Sequence, residues 1–444
     1  MKKIYSNQCW VGNQLQAATI SFENDIITNV EFRKEEDAED VGENILMPGV
    51  IDVHVHINEP GRSDWEGFDT ATKAAAAGGS TTIVDMPLNS SPVTTTLKDF
   101  NAKLFASVSQ LHINCGFYGG LIPGSLYQLE KLIDAGILGI KCFLTDPGIE
   151  EFPPVIEKDL DKAMPIIAKH NLPLLVHCEI IDKEVDRDPI TMGFADNPTS
   201  YKHFLASRPE KWEHDAIDLM IRLCRKHNCR VHIVHVSSGG SLKKIEKAKQ
   251  EGLPLTAETC PHYIYFNAEN IQDAHCIYKC IPPIRGKKNN DLLKHALQNG
   301  ILDFISSDHS PASPSVKEIE TGNLKNAWGG IAGLQFLLPA SWTALKESLS
   351  LEEFIPLITT QPAKFINEKN RGEIKPGNYA DLVIWDPGEN RKVNEEDILF
   401  RHKISPYIGE ELSGTIQQTI VNGETVFQKG GIIHQNKGKW LLRK

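Results

Sequence analysis

One pattern constrains this chain more than any other. Between residues 50 and 308, about eight short apolar runs alternate with longer amphipathic stretches. The runs are VIDVHVHI, STTIVDM, INCGFYG, ILGIKCFL, LPLLVHCE, RVHIVHVS, PLTAETC and LDFISSD. Among them, FDTATKAAAAGG, DLDKAMPIIAKH, WEHDAIDLMIRLCRKH, SLKKIEKAKQEG and NDLLKHALQNG read as helices. Strands alternating with helices imply a parallel sheet, and eight such units over roughly 300 residues fit an α/β chain closed into a (β/α)8, TIM-like barrel. An open doubly wound sheet is the alternative. No GxGxxG follows the first run, which weakens the dinucleotide-binding form of that sheet.

The texture differs at both ends. AATISFENDIITNVEF near the start, and GEIKPGNYADLVIWDP and TIQQTIVNGETVFQKGGII near the finish, read as short strands broken by turn residues. Residues 1–47 and 372–444 are therefore expected to meet in one small β-sandwich domain beside a barrel spanning 48–371. The stretch from Asp182 to Pro209 carries no strand signal and is expected to cross the barrel mouth. The basic tail KGKWLLRK reads as a solvated end.

Composition excludes several functions. A net charge of −11 without a basic block argues against a dedicated nucleic-acid binder. No stretch approaches the ~18 consecutive apolar residues of a membrane span. The N-terminal residues lack the apolar core of a signal peptide, and the 9 cysteines show no CxxC spacing. Together these features suggest reduced thiols and a cytoplasmic protein with no membrane or nucleic-acid partner.

Chemistry concentrates at the ends of the runs. His54 and His56 lie two apart in a strand and so share a face. Alone they could be two satisfied polar residues. His177, His235 and Asp308 each follow an apolar run, at the strand end where barrels carry function. Histidines and a carboxylate converging there suit zinc, iron, manganese or cobalt. Lys141 is the anomaly, an amine in the middle of ILGIKCFL. Read alone it would snorkel or pair with a buried acid. Beside four other ligand-bearing strand ends, burial favours a neutral amine able to add carbon dioxide as a carbamate.

Neighbouring residues receive plainer readings. Cys142 and Cys178 alternate with ligand residues and are expected to be buried hydrophobes. His232, three before His235, is expected on the opposite strand face. His309 could orient the site, and His262 lies in a motif near the mouth. Asp381 is expected to close a turn in the small domain.

The chain resembles the amidohydrolase superfamily, in the cyclic-amidase branch that holds the dihydroorotase, hydantoinase and allantoinase families. The resemblance runs from LMPGVIDVHVH to IKPGNYADLVIWD. HVHINEPGRSDWEGFDTATKAAAAGGSTTIVDMPLNS, KCFLTDPGIEEFPPV, ETCPHY, SSDHSP and AWGGIAGLQ bring it closest to the allantoinase family. The resemblance implies a binuclear metal centre, with zinc first among the metals. His54, His56 and Asp308 would hold one ion and His177 and His235 the other, with carboxylated Lys141 bridging the two. It implies hydrolysis of a ring amide, with Asp308 moving a proton to the leaving nitrogen, and a homotetramer.

Substrate choice is read from one departure. Dihydroorotases place an arginine two positions after the HxH pair, to hold a substrate carboxylate. Asn58 stands there instead and suits the neutral ring and ureido group of allantoin. Arg62, on the following turn, is not assumed to substitute. Asn89 is a further candidate contact, or a loop asparagine bonding its own backbone. Main-chain groups around Cys280 and Ile281 are expected to hold the ring. Hydantoinase or dihydropyrimidinase activity is the alternative, and a metal-free scaffold relative the rival from another class.

Overall fold

The computed structural model describes residues 1–181 and 189–444, without the side chains of 189–192. Eight strands follow the eight runs. They are Val50–Val55, Ser80–Asp85, Asn114–Phe117, Ile140–Phe143, Leu174–His177, Val231–Ile233, Leu255–Thr259 and Phe304–Ile305. Ladders between them are parallel. The third strand continues into Gly119–Gly120, which pairs with the fourth. A parallel bridge from Val55 to His309, with the His56 N–H donating to the His309 carbonyl at 2.8 Å, joins the last strand to the first. The ring is closed, so the barrel carries its side-chain layers inside.

The helices show why the alternating pattern folds this way. Helix Glu210–His227 buries Trp212, Ala216, Ile217, Met220, Leu223 and Cys224, a stripe at three- and four-residue spacing. Glu210 and Glu213 sit in its first turn and Arg225, Lys226 and His227 in its last, each complementing the helix dipole. Helix Phe68–Ala77 presents Phe68, Ala71, Ala74, Ala75 and Ala76 to the core, and alanine lets it pack close to the strands. The stretch beginning at Asp182, expected to cross the barrel mouth, lies outside the described residues as far as 188. Beyond it come helices Pro189–Asp196 and Tyr201–Ala206. Among the described residues no helix is long and apolar enough to cross a membrane.

Both chain ends build one sheet of 9 strands. Ile45–Pro48 lies between Lys2–Val11 on one side and Leu382–Lys392 on the other. Neither end could complete this sheet alone. Asp381 does more than close a turn. Its carboxylate accepts from Arg371 Nε at 2.6 Å, from the Asn422 N–H at 2.6 Å and from Asn114 Nδ2 at 3.0 Å. Asn114 starts the third barrel strand, so Asp381 ties the two units together.

The basic tail is also not a solvated end. Trp440–Leu441 adds a parallel strand to Asn114–Phe117, in register with Cys115 and Gly116. The fourth barrel strand pairs only with the upper part of the third, at Gly119 and Gly120. The lower edge is left with unpaired main-chain groups, and the tail satisfies them.

Candidate metal centre

The first strand delivers two imidazoles to one face, as the period of two requires. The His54 Nε2 lies 3.2 Å from Asp308 Oδ1, and the His56 Nε2 lies 3.5 Å from the same oxygen. Across the barrel, His177 Nδ1 approaches His235 Nε2 at 3.0 Å. The His54 and His235 rings are 5.4 Å apart, which links the two halves. Lys141 is 0% exposed, and its Nζ has no hydrogen-bond partner among the described residues. The Phe143 ring lies 4.8 Å from that nitrogen and stacks on His177 at 4.6 Å. The structure thus brings together His54, His56, Lys141, His177, His235 and Asp308.

Whether this group suits cations is decided by its leftover atoms. Among the described residues the buried His54 Nε2 has no hydrogen-bond partner, and neither has Lys141 Nζ. Such atoms cost stability unless something else engages them. Burial lowers the His56 imidazole to about 4 against the pull of Asp308, and holds His177 and His235 below the ordinary histidine range. Burial opposes the Asp308 charge, but the His54 and His56 imidazoles outweigh it and hold the carboxyl at about 2. Burial also pushes the Lys141 amine down to about 8. Imidazoles at His56, His177 and His235 that burial keeps neutral, an ionised carboxylate and an amine that burial makes easier to deprotonate form a donor set that fits divalent metal ions.

Two carboxylates behind the histidines escaped the sequence reading. Glu258 accepts from His54 Nδ1, leaving Nε2 to face the site. Glu179 Oε2 accepts from His177 Nε2 at 2.8 Å, leaving Nδ1 to face it, and Arg208 pairs with the same oxygen at 2.9 Å. Carboxylates in this position fix tautomer and ring angle, and they raise the basicity of the ligand nitrogen. Burial opposes ionisation of Glu179, yet Arg208 and His177 hold it at about 2. The signal for Glu179 was in plain view, two residues past His177 in HCE. Glu258 comes from the seventh strand, and no local pattern marks it.

His232 departs from expectation. It lies inside the barrel, not on the opposite face, with Nε2 at 3.2 Å from the Glu258 carboxylate that holds His54. The sixth strand ends at Ile233, and His235 has φ 39. Alternation does not carry through that twist, so His232 and His235 both turn inward. Asp308 also has positive φ, 45, and backbone strain of this kind collects at functional sites. His309 touches the site through its main chain. Its ring is tilted against Phe400 at 4.8 Å and approaches Glu66 at 3.4 Å. His262 is buried within reach of Asp308 and Cys260. Burial raises the Cys260 thiol well above its usual value. Cys142 and Cys178 are buried in the core, as expected.

A cavity of about 470 Å³ opens over the site. Of the expected substrate contacts, Asn89 and Ile281 line it and Asn58 and Cys280 do not. Asn58 is 0% exposed and donates to the Pro311 carbonyl at 3.1 Å, so its position two after His56 is spent on a neighbouring loop. Arg62 donates to the Asn89 and Ser90 carbonyls and pairs with Glu151 at 2.9 Å. Phe143, Arg208, Lys279, Ser310 and Trp328 line the cavity without having been singled out in the sequence.

Comparison with known proteins adds an independent view. The model of the amidohydrolase family matches residues 45–426. An allantoinase of Arabidopsis thaliana is 42% identical over 406 residues, covering 88% of this chain and 79% of its own length. An allantoinase of Saccharomyces cerevisiae is 36% identical over 444 residues, covering 99% of this chain and 94% of its own. The solved L-hydantoinase (dihydropyrimidinase) of Arthrobacter aurescens superposes with a TM-score of 0.93 at 28% identity, covering 100% of both chains.

Proposed function

This chain belongs to the amidohydrolase family, and from that premise we infer that it hydrolyses the ring amide of allantoin to give allantoate. The observation that carries the reading is the 36–42% identity to allantoinases over most of the chain, against 28% to a hydantoinase of the same fold. The commitment of Arg62 to loop carbonyls and Glu151 fits a substrate ring without a carboxylate.

Family membership brings a binuclear metal centre. We assign His54, His56 and Asp308 to one ion and His177 and His235 to the other, with Lys141 bridging them as its carbamate. Zinc is our choice of metal. When bound, the two cations supply an activated water and a Lewis acid for the ring carbonyl. The chain supplies the rest. The Lys141 amine, depressed by burial, attacks carbon dioxide and loses a proton, becoming an anion with two ligand oxygens. Glu258 and Glu179 hold His54 and His177 in the tautomers that turn the free nitrogens inward. Asp308 takes the proton released as water adds to the ring carbonyl, and returns it to the ring nitrogen as the C–N bond breaks. An amide nitrogen leaves poorly without that proton. Asn89 and Ile281 are our assignments for substrate contact within the cavity.

We divide the chain into a barrel at 48–371 and a small domain from 1–47 and 372–444. A homotetramer in the cytoplasm is our assignment for its assembly and location.

The test is a side-by-side assay on allantoin, hydantoin, dihydrouracil and dihydroorotate, with metal content measured on the same sample. Allantoin is expected to have the highest kcat/KM, with two metal ions per chain. Faster turnover of hydantoin or dihydrouracil would overturn the substrate assignment, and a metal-free, inert protein would overturn the enzyme reading.

A further inference from the structure

Two lysines behind one wall of the cavity are treated differently by the fold. Lys317 is 4% exposed and does not line the cavity. Its Nζ donates to the main-chain carbonyls of Lys279, Trp328 and Gly330. Three N–H groups meet three acceptors, so this ammonium is satisfied without a carboxylate. It also stitches the loop around Lys279 to the loop around Trp328, both of which face the cavity.

Lys279 does line the cavity, although it is only 6% exposed. Its Nζ donates to the Ala327 and Lys325 carbonyls. Two acceptors leave one N–H over, and among the described residues no carboxylate pairs with this ammonium. The Phe204 ring, 5.5 Å from Nζ, covers it without accepting a conventional hydrogen bond. Burial first, and then the nearby Arg208 charge, lower the Lys279 ammonium to about 8, which leaves it mostly protonated at neutral pH. A buried donor at a cavity wall gains most from an acceptor that the ligand brings.

We propose that Lys279 is a specificity-determining contact, donating its remaining N–H to the carbonyl oxygen of the ureido group that distinguishes allantoin from hydantoin. Lys317 is the positioning residue that holds the loop presenting it. The proposal rests on the allantoin reading above. The ring occupies the metal end of the cavity, where its amide is opened. The ureido tail is the part of the substrate left to reach another wall. A ureido carbonyl is a strong neutral acceptor, suited to an ammonium that has no acid beside it among the described residues.

The test is steady-state kinetics on the metal-loaded enzyme, with hydantoin, which lacks the tail, as a competitive inhibitor. Lys279→Met keeps the length of the side chain and removes the donor. The KM for allantoin is expected to rise roughly tenfold or more with kcat within about threefold, because the lost contact is made equally in ground and transition states. The inhibition constant of hydantoin is expected to stay unchanged. An unchanged KM for allantoin overturns the proposal. So does equal weakening of hydantoin, which would leave Lys279 with a loop-positioning role only. A second arm needs no variant and stays decisive if Lys279→Met fails to fold or hold metal. Wild-type enzyme that binds hydantoin as tightly as allantoin has no ureido contact to explain. Wild-type enzyme inert toward allantoin sinks the functional reading instead, and that outcome is distinct from these.

Discussion

At the scale of single residues, the centre depends on two groups whose chemistry differs from their usual behaviour. Lys141 sits in a fully buried position with no acceptor for its nitrogen among the described residues. Lys141→Ala is expected to lose bound metal and turnover together, with partial recovery on adding short carboxylic acids that mimic the carbamate. A carbon-13 spectrum of the wild-type protein without a carbamate signal would remove the bridge assignment. Asp308 faces both histidines of the first strand. Asp308→Asn is expected to fold normally and to lose turnover by about 10²- to 10⁴-fold, the usual contribution of a positioned acid–base group. Turnover near the wild-type rate would end its role as proton carrier. The histidines and the lysine were legible because apolar runs made each polar strand end conspicuous. Asn58 shows the limit of that method. Spacing placed it beside His54 and His56, while the fold turned it onto the Pro311 carbonyl.

At the scale of elements, the strand ends are held by buried charge as much as by ladders. Asp85 closes the second strand and accepts the Ile57 N–H at 2.9 Å, just past His56. Its partner is Lys103 of helix Leu97–Ser107, which also donates to the Met86 carbonyl at 3.0 Å. Both side chains are buried. Lys103→Met is expected to cost about 3–5 kcal/mol, since removing one member of a buried pair strands the other charge. Urea unfolding measures it, and a loss near zero would show that water replaces the lysine. The Lys103 helix was not among those read from the sequence. Its buried face is small, with Phe100, Lys103 and Ser107, and the lysine disguises the apolar stripe. The tail strand Trp440–Leu441 was missed for a related reason. Two residues show no period, and their strand exists only because the third barrel strand leaves an edge open.

At the scale of the whole molecule, the proposed metal site gathers residues from five of the eight strand units into one buried cluster. Two of its buried nitrogens, His54 Nε2 and Lys141 Nζ, have no hydrogen-bond partner among the described residues. Chelation is therefore expected to lower the melting temperature by several degrees, with recovery on returning the metal. A ligand that binds only the native state stabilises it by mass action. An unchanged melting temperature would show that the ions contribute chemistry but no stability. The barrel itself was legible from sequence, because alternation of strand and helix is local and survives translation into structure. The meeting of the two chain ends was legible as texture, though not as register. Sequence alone determined the architecture, the family and the six convergent side chains, since each depends on periodicity, strand-end position or motif. Only the tertiary structure decided which carboxylates stand behind the histidines, which loop residues reach the cavity and where the tail goes. Those contacts join residues far apart in the chain, and no local period records them.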